Sequence, residues 1–137
     1  MSNLLKLEIV TPEAMTYSDE VEMVTLPGVE GEMGIFPMHV PLMTQIVAGE
    51  VVVRKDGREH SFAVGDGFAE ISSERVAILT DMAVDEDNID ETRAEEARRQ
   101  AEVRLKEEHL SDEELATVNA AMAHSVALLK VKRRHSR

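Results

Sequence analysis

The sequence predicts an all-β sandwich, two packed and mainly antiparallel sheets, followed by a C-terminal α-helical hairpin. Three observations carry this. Across residues 4–84, apolar and polar residues alternate with period 2 between tight-turn signals. Leu26 to Gln45 holds three glycines and three prolines among recurring apolar residues, which excludes both a helix and a disordered linker. Beyond Val84 the apolar period becomes 3.6. The reading is a strand domain at 1–84 and a helical part at 85–137, with helices over 89–108 and 112–131 and a basic tail.

In chain order, Leu5, Leu7 and Ile9 mark the first strand, and Val21, Met23 and Thr25 another. Gly31 to Ile35 reads as a short strand, and Pro37 to Pro41 as a rigid corner leading to the next. Asp56-Gly57 separates two β-rich runs, 50–55 and 58–64, and predicts a hairpin, because that turn needs positive φ at both central residues. Gly65-Asp66-Gly67 is a further turn, and 68–71 with 76–81 a second hairpin. Asp85 to Asn88 reads as an acidic hinge. Asn88 with Glu91, and Ser111 with Glu114, have capping-box spacing. Ala94, Ala97, Ala101 and Leu105 form one helical stripe; Leu115, Val118, Met122, Val126 and Leu129 form the other. Glu95–Arg99 and Glu102–Lys106 are i,i+4 pairs for the outer face.

The chain carries a net charge of −12 and 3% aromatics. That composition opposes nucleic-acid binding, which needs clustered cations and stacking surfaces. No cysteine is present, so disulfides and thiolate chemistry are excluded. No signal-peptide pattern and no 18-residue apolar run are seen, so no direct membrane insertion is expected. The charge is uneven: Lys130, Lys132, Arg133, Arg134 and Arg137 sit in the last eight residues, leaving 27 acids against 10 bases elsewhere. Such a tail either complements the helix macrodipole or seeks an acidic partner. Two alanine-rich helices bury little area, so they need docking on the sandwich or elsewhere, and a docking hairpin can serve as a two-state element.

Nothing points to catalysis. The five histidines have no metal-ligand spacing, and no serine sits in a nucleophile elbow. Gly28, Gly31 and Gly34 are turn glycines, not a phosphate cradle. The absence of tryptophan opposes a sugar-processing enzyme. A stand-alone β-sandwich binding module that dimerises through its helical hairpin is the alternative reading.

From Gly28 to Thr44 the pattern G-x-E-G-E-x-G-I-x-P-x-H-x-P-L-x-T resembles the signature of the epsilon-subunit family of F-type ATP synthases. Leu5 to Val10 and Pro12 to Thr16 resemble that family's opening strand and turn, and Ile89-Asp90-x-x-Arg93-Ala94 its motif near the start of the helical part. The resemblance implies a non-catalytic central-stalk subunit on the cytoplasmic face of the bacterial inner membrane, coupling proton-driven rotation to ATP synthesis. It implies Glu32 facing the loops of the membrane c-ring and His39 facing the gamma subunit. The C-terminal helices and their basic tail would meet the alpha and beta catalytic subunits and inhibit hydrolysis. It implies no required cofactor, with ATP a weak regulatory ligand at Ile89, Asp90, Arg93 and Ala94. ATP should be weak here because Ser111 to Leu129 holds no Lys or Arg, and a triphosphate needs several cations.

Overall fold

The computed structural model describes residues 3–107 and 109–135. Ten strands precede two helices: β1 (Leu5–Val10), β2 (Met15–Val21), β3 (Met23–Gly28), β4 (Gly31–Ile35), β5 (Leu42–Ile46), β6 (Gly49–Lys55), β7 (Arg58–Val64), β8 (Gly67–Ile71), β9 (Arg75–Thr80) and β10 (Ala83–Asp85). A 3-10 turn (Glu86–Asn88) leads to α1 (Glu91–Leu105) and α2 (Asp112–His135). The hydrogen-bond path runs β10-β7-β6-β3-β5-β8-β9-β1-β2, with β4 paired to β3. The two layers are thus one sheet folded on itself. The fold lies at β3, which pairs β6 through Met23–Thr25 and β5 only through Gly28 opposite Ile46. All described pairings are antiparallel except β1 with β9.

Alternation fills the space between layers. Leu5, Leu7, Ile9, Val24, Leu26, Val51, Val53, Phe62, Val64 and Ile78 point inward and are buried. Tyr17 meets Phe62 edge-on across the layers, ring centroids 4.9 Å apart. The Asp56-Gly57 turn has φ of 53° and 75°, as its sequence demands. On β6 and β7 the outward residues Glu50, Ser61 and Ala63 are buried as well, because α2 lies over them. That double burial explains their nearly unbroken apolar run.

Several expectations change in the helical part. The boundary expected after Val84 falls inside β10, where Val84 pairs Ala63 and Asp85 pairs Phe62. The acidic segment is no loose hinge: Asp85 caps the 3-10 turn by accepting from Asp87 N (2.9 Å), and Glu86 accepts from Ser61 N (3.2 Å). Asn88 is not the cap of α1. Ile89 is extended and buried, so the helix starts later, with Asp90 accepting from Arg93 N at 3.1 Å. The Ser111–Glu114 box forms reciprocally, both bonds at 3.1 Å. α1 ends at Leu105, short of 108, while α2 continues past 131 to His135.

The apolar stripes differ too. Ala94 and Ala101 are buried, but Ala97 is exposed and Leu105 half-buried. On α2, Val118 and Leu129 are buried, whereas Leu115 and Val126 are exposed and Ser125, Ala127 and Val131 are covered instead. The reason is that α2 contacts both α1 and the β6–β7 face, so its buried arc is wider than one stripe and rotated from it. Ala127 and Val131 meet Ala63 and Ile89, with Ala48, Met82, Val84 and Leu128 around them.

Candidate functional site

The constrained segment builds one end of the strand domain. Glu32 stands exposed on β4, opposite Pro27, and lines a groove of about 560 Å³ with Val29, Met33, Leu42 and Thr44. His39 follows Met38, whose φ is 69°. Its Nδ1 lies 2.6 Å from the Val40 carbonyl, which only accepts, so Nδ1 carries the proton. This loop is fixed to the β8–β9 turn by Met38 N donating to Ser73 O (2.7 Å) and presents Phe36, Met38 and Val40 to solvent.

At the other end of β8, β9 and β1 from the Met38–Ser73 contact, the strand register makes an apolar row on the outer face of the second layer. Phe68 pairs Leu79, Leu79 pairs Val10, and Val10 pairs Met15. Directly paired residues share a face. Phe68, Leu79 and Met15 are 54%, 50% and 53% exposed. Exposed apolar side chains brought into one row make this face a candidate interaction surface. Sequence reasoning missed it, since each strand shows only one such residue and the row exists only once four strands are in register.

The four residues of the helix-start motif surround one groove of about 360 Å³, with Val84, Asn88, Ala97 and Leu128. Ile89 and Ala94 are buried, Asp90 is used as the helix cap, and Arg93 is the sole cation in that lining.

The basic tail is not free in this arrangement. Arg133 reaches Glu91 (3.0 Å) and Glu95 (2.9 Å) on α1. Arg98, and then Arg133, hold the Glu95 carboxyl below the usual carboxylate range. Arg134 pairs with Glu50, and His135 Nε2 lies 2.9 Å from the same carboxylate. Lys130 is exposed and Lys132 half-buried, while Arg137 lies outside the described residues. Glu50 is the hub, its side chain only 5% exposed. Burial pushes its carboxyl up, but hydrogen bonding from His135, the Ser61 dipole and the charge of Arg134 outweigh that and hold it low. The buried Ser61 Oγ has no hydrogen-bond partner at normal distance. Nothing local in the sequence singles out Glu50, because a glutamate on alternate strand positions reads as solvated.

His60 joins this cluster. Its Nε2 lies 2.8 Å from Asp85 and its Nδ1 3.0 Å from Glu86. Ligand-type atoms of His60, Asp85 and Asp87 lie within 4.8 Å of one another, but the contacts among them are hydrogen bonds and we assign no ion there. Further along α2, His124 Nε2 sits 3.0 Å from Asp81 Oδ1. Among the described residues no helix is long and apolar enough to cross a membrane.

Comparison with known proteins adds lineage to this geometry. Residues 4–86 match the family described as ATP synthase, Delta/Epsilon chain, beta-sandwich domain, and residues 87–133 the one described as ATP synthase, Delta/Epsilon chain, long alpha-helix domain. A protein named ATP synthase epsilon chain from Dehalococcoides mccartyi is 48% identical over 79 residues, covering 58% of this chain and 56% of its own length. One of the same name from Hydrogenobaculum is 48% identical over 86 residues, covering 63% and 62%. The chain therefore spans little more than half the length of these relatives. In fold, it resembles a chain in the Euglena gracilis mitochondrial ATP synthase assembly of OSCP, F1 and c-ring (TM-score 0.73, 23% identity, 91% of this chain and 79% of that one). It also resembles one from the Tetrahymena thermophila mitochondrial ATP synthase central stalk and c-ring (TM-score 0.64, 10% identity, 93% and 96%).

Proposed function

This chain belongs to the ATP synthase delta/epsilon family, and on that premise we propose that it is a non-catalytic central-stalk subunit that docks on a rotor through its strand domain. The observation that carries the reading is the exposed row Phe68–Leu79–Val10–Met15 on the outer face of the second layer. A rigid apolar sheet face suits a partner that must transmit torque, because it docks without reordering. The gamma subunit takes this face, and His39, on the loop pinned to the β8–β9 turn, contacts the same subunit separately. Glu32, on the exposed edge strand β4, meets loop cations of the membrane c-ring, where charge complementarity contributes more to register than to affinity. The protein then sits peripherally at the cytoplasmic side of the bacterial inner membrane and links ring rotation to ATP synthesis.

The hairpin is the regulatory part. Docked on β6–β7, it spends Arg133 and Arg134 on the chain's own acids. Released, a 24-residue α2 is about 36 Å long. Its last turn then meets acidic loops of the catalytic alpha and beta subunits and inhibits hydrolysis. ATP binds weakly at the Ile89–Asp90–Arg93–Ala94 groove, since one lining cation offsets little of a triphosphate.

Copurification with the gamma subunit tests the assignment. The wild-type chain is expected to bind, and Phe68→Asp or Leu79→Asp to weaken binding by at least about tenfold, as loss of a central apolar anchor does. Wild-type affinity in both variants would move the docking face elsewhere; no binding by the wild type would remove the stalk assignment.

A further inference from the structure

His135 has a carboxylate at each ring nitrogen: Glu50 at 2.9 Å from Nε2 and Glu86 at 3.3 Å from Nδ1. His60 is flanked in the same way by Asp85 and Glu86. A neutral imidazole donates from one nitrogen and presents a lone pair at the other, and an ionised carboxylate only accepts. Each ring can therefore satisfy both of its neighbours only as the imidazolium. We propose that the last turn of α2 is held on the strand domain by a proton-dependent clasp, His60–Glu86–His135–Glu50, which tightens on acidification and opens as the imidazoles lose their charge.

The charges around the clasp support this. Glu50 comes from β6, His60 from β7, Asp85 from β10, Glu86 and the exposed Asp87 from the 3-10 turn, and Arg134 and His135 from α2. Among the described residues the rings lie among the carboxylates of Glu50, Asp85, Glu86 and Asp87, and Arg134 pairs with Glu50; protonating both rings adds two cations to this cluster. The Glu50 carboxyl, held low, stays ionised across the range of about pH 5 to 8 in which histidine changes charge, so the imidazoles are the groups that switch. His124, facing Asp81 from the middle of α2, meets a single carboxylate at one ring nitrogen, which a neutral imidazole satisfies, so it stands outside the clasp. The apolar seat of Ala63, Ile89, Ala127 and Val131 is made mostly of small side chains, which leaves the charged clasp a substantial share of the docking. The inference concerns the isolated chain and stands apart from the stalk assignment.

The chain has no native cysteine, so spin labels on Arg58→Cys and Ala120→Cys report the distance from the β6–β7 turn to α2. At about pH 6 a single docked distance is expected. At about pH 8.5 a longer population should appear, with the docked-to-released ratio lower by about tenfold. His135→Gln should blunt that response, and His60→Gln with His135→Gln should abolish it. A wild-type distribution that is the same at both pH values, or a double variant that still shifts as the wild type does, overturns the proposal.

Discussion

At the residue scale, Glu50 illustrates what a linear reading can and cannot see. Asp90 and Arg93 stand out in the sequence because helix starts have local rules. Glu50 acquires its meaning from Arg134 and His135, more than eighty residues away. Glu50→Gln is expected to cost about 1–3 kcal/mol near neutral pH, since it leaves partly covered cations without their counter-charge. Its carboxyl is held low in the folded chain, so the stabilisation is present above the ordinary carboxylate range near 4.3 and fades as pH falls through the folded value. Urea unfolding at several pH values should therefore show the wild type and Glu50→Gln converging below about pH 4. Two glycines separate in the same assay. A Cβ on Gly67 would lie 1.9 Å from the Leu79 carbonyl oxygen, which is backbone, whereas one on Gly65 would meet the side chains of Asp81 (1.8 Å) and His124 (2.8 Å). Gly67→Ala should cost about 2–4 kcal/mol. Gly65→Ala should cost about 1 kcal/mol, mainly by displacing the Asp81–His124 contact.

At the element scale, what the sequence discloses follows what is local. The Asp56-Gly57 hairpin, the 31–35 strand and the Ser111–Glu114 box are all visible because their determinants lie within a few residues. β2 and β10 are hard to see: β2 is largely exposed, and β10 is three residues long and exists by pairing with β7. The buried arc of α2 departs from its apolar stripe because periodicity fixes a helix's buried face only when there is one neighbour, and α2 has two. Ser111→Ala should weaken the start of α2 by about 1 kcal/mol, seen as faster amide exchange over its first turns. Val131, fully buried at the seat, is the sharper probe. Val131→Ala should cost about 1–2 kcal/mol and raise exchange along α2 while β1, β8 and β9 stay protected. Uniform loss of protection would mean that hairpin and sandwich open as one unit.

At the scale of the whole molecule, the fold class and the division into strand and helical parts are legible, because composition and period change together near residue 84. The folding of one sheet onto itself at β3 is not, since it depends on which strands fail to pair along their full length. Nor is the apolar row on the second layer, which no single strand announces. Deleting residues 133–137 should free α2 in the isolated chain and, in an assembled complex, change the salt sensitivity of ATP hydrolysis; identical activity and salt response would take the tail out of regulation. The parallel pairing of β1 with β9 has a consequence for synthesis. β1 emerges from the ribosome just before β2 and meets it at once, yet its other edge must wait some seventy residues for Arg75–Thr80 to appear. Until then the N-terminal hairpin is an open-edged ribbon, and pairings of such long sequence separation close slowly. Nascent chains that stall before residue 80 should thus be the aggregation-prone species, while the helices, which follow the strands, alight on a sheet whose β1–β9 edge is already closed.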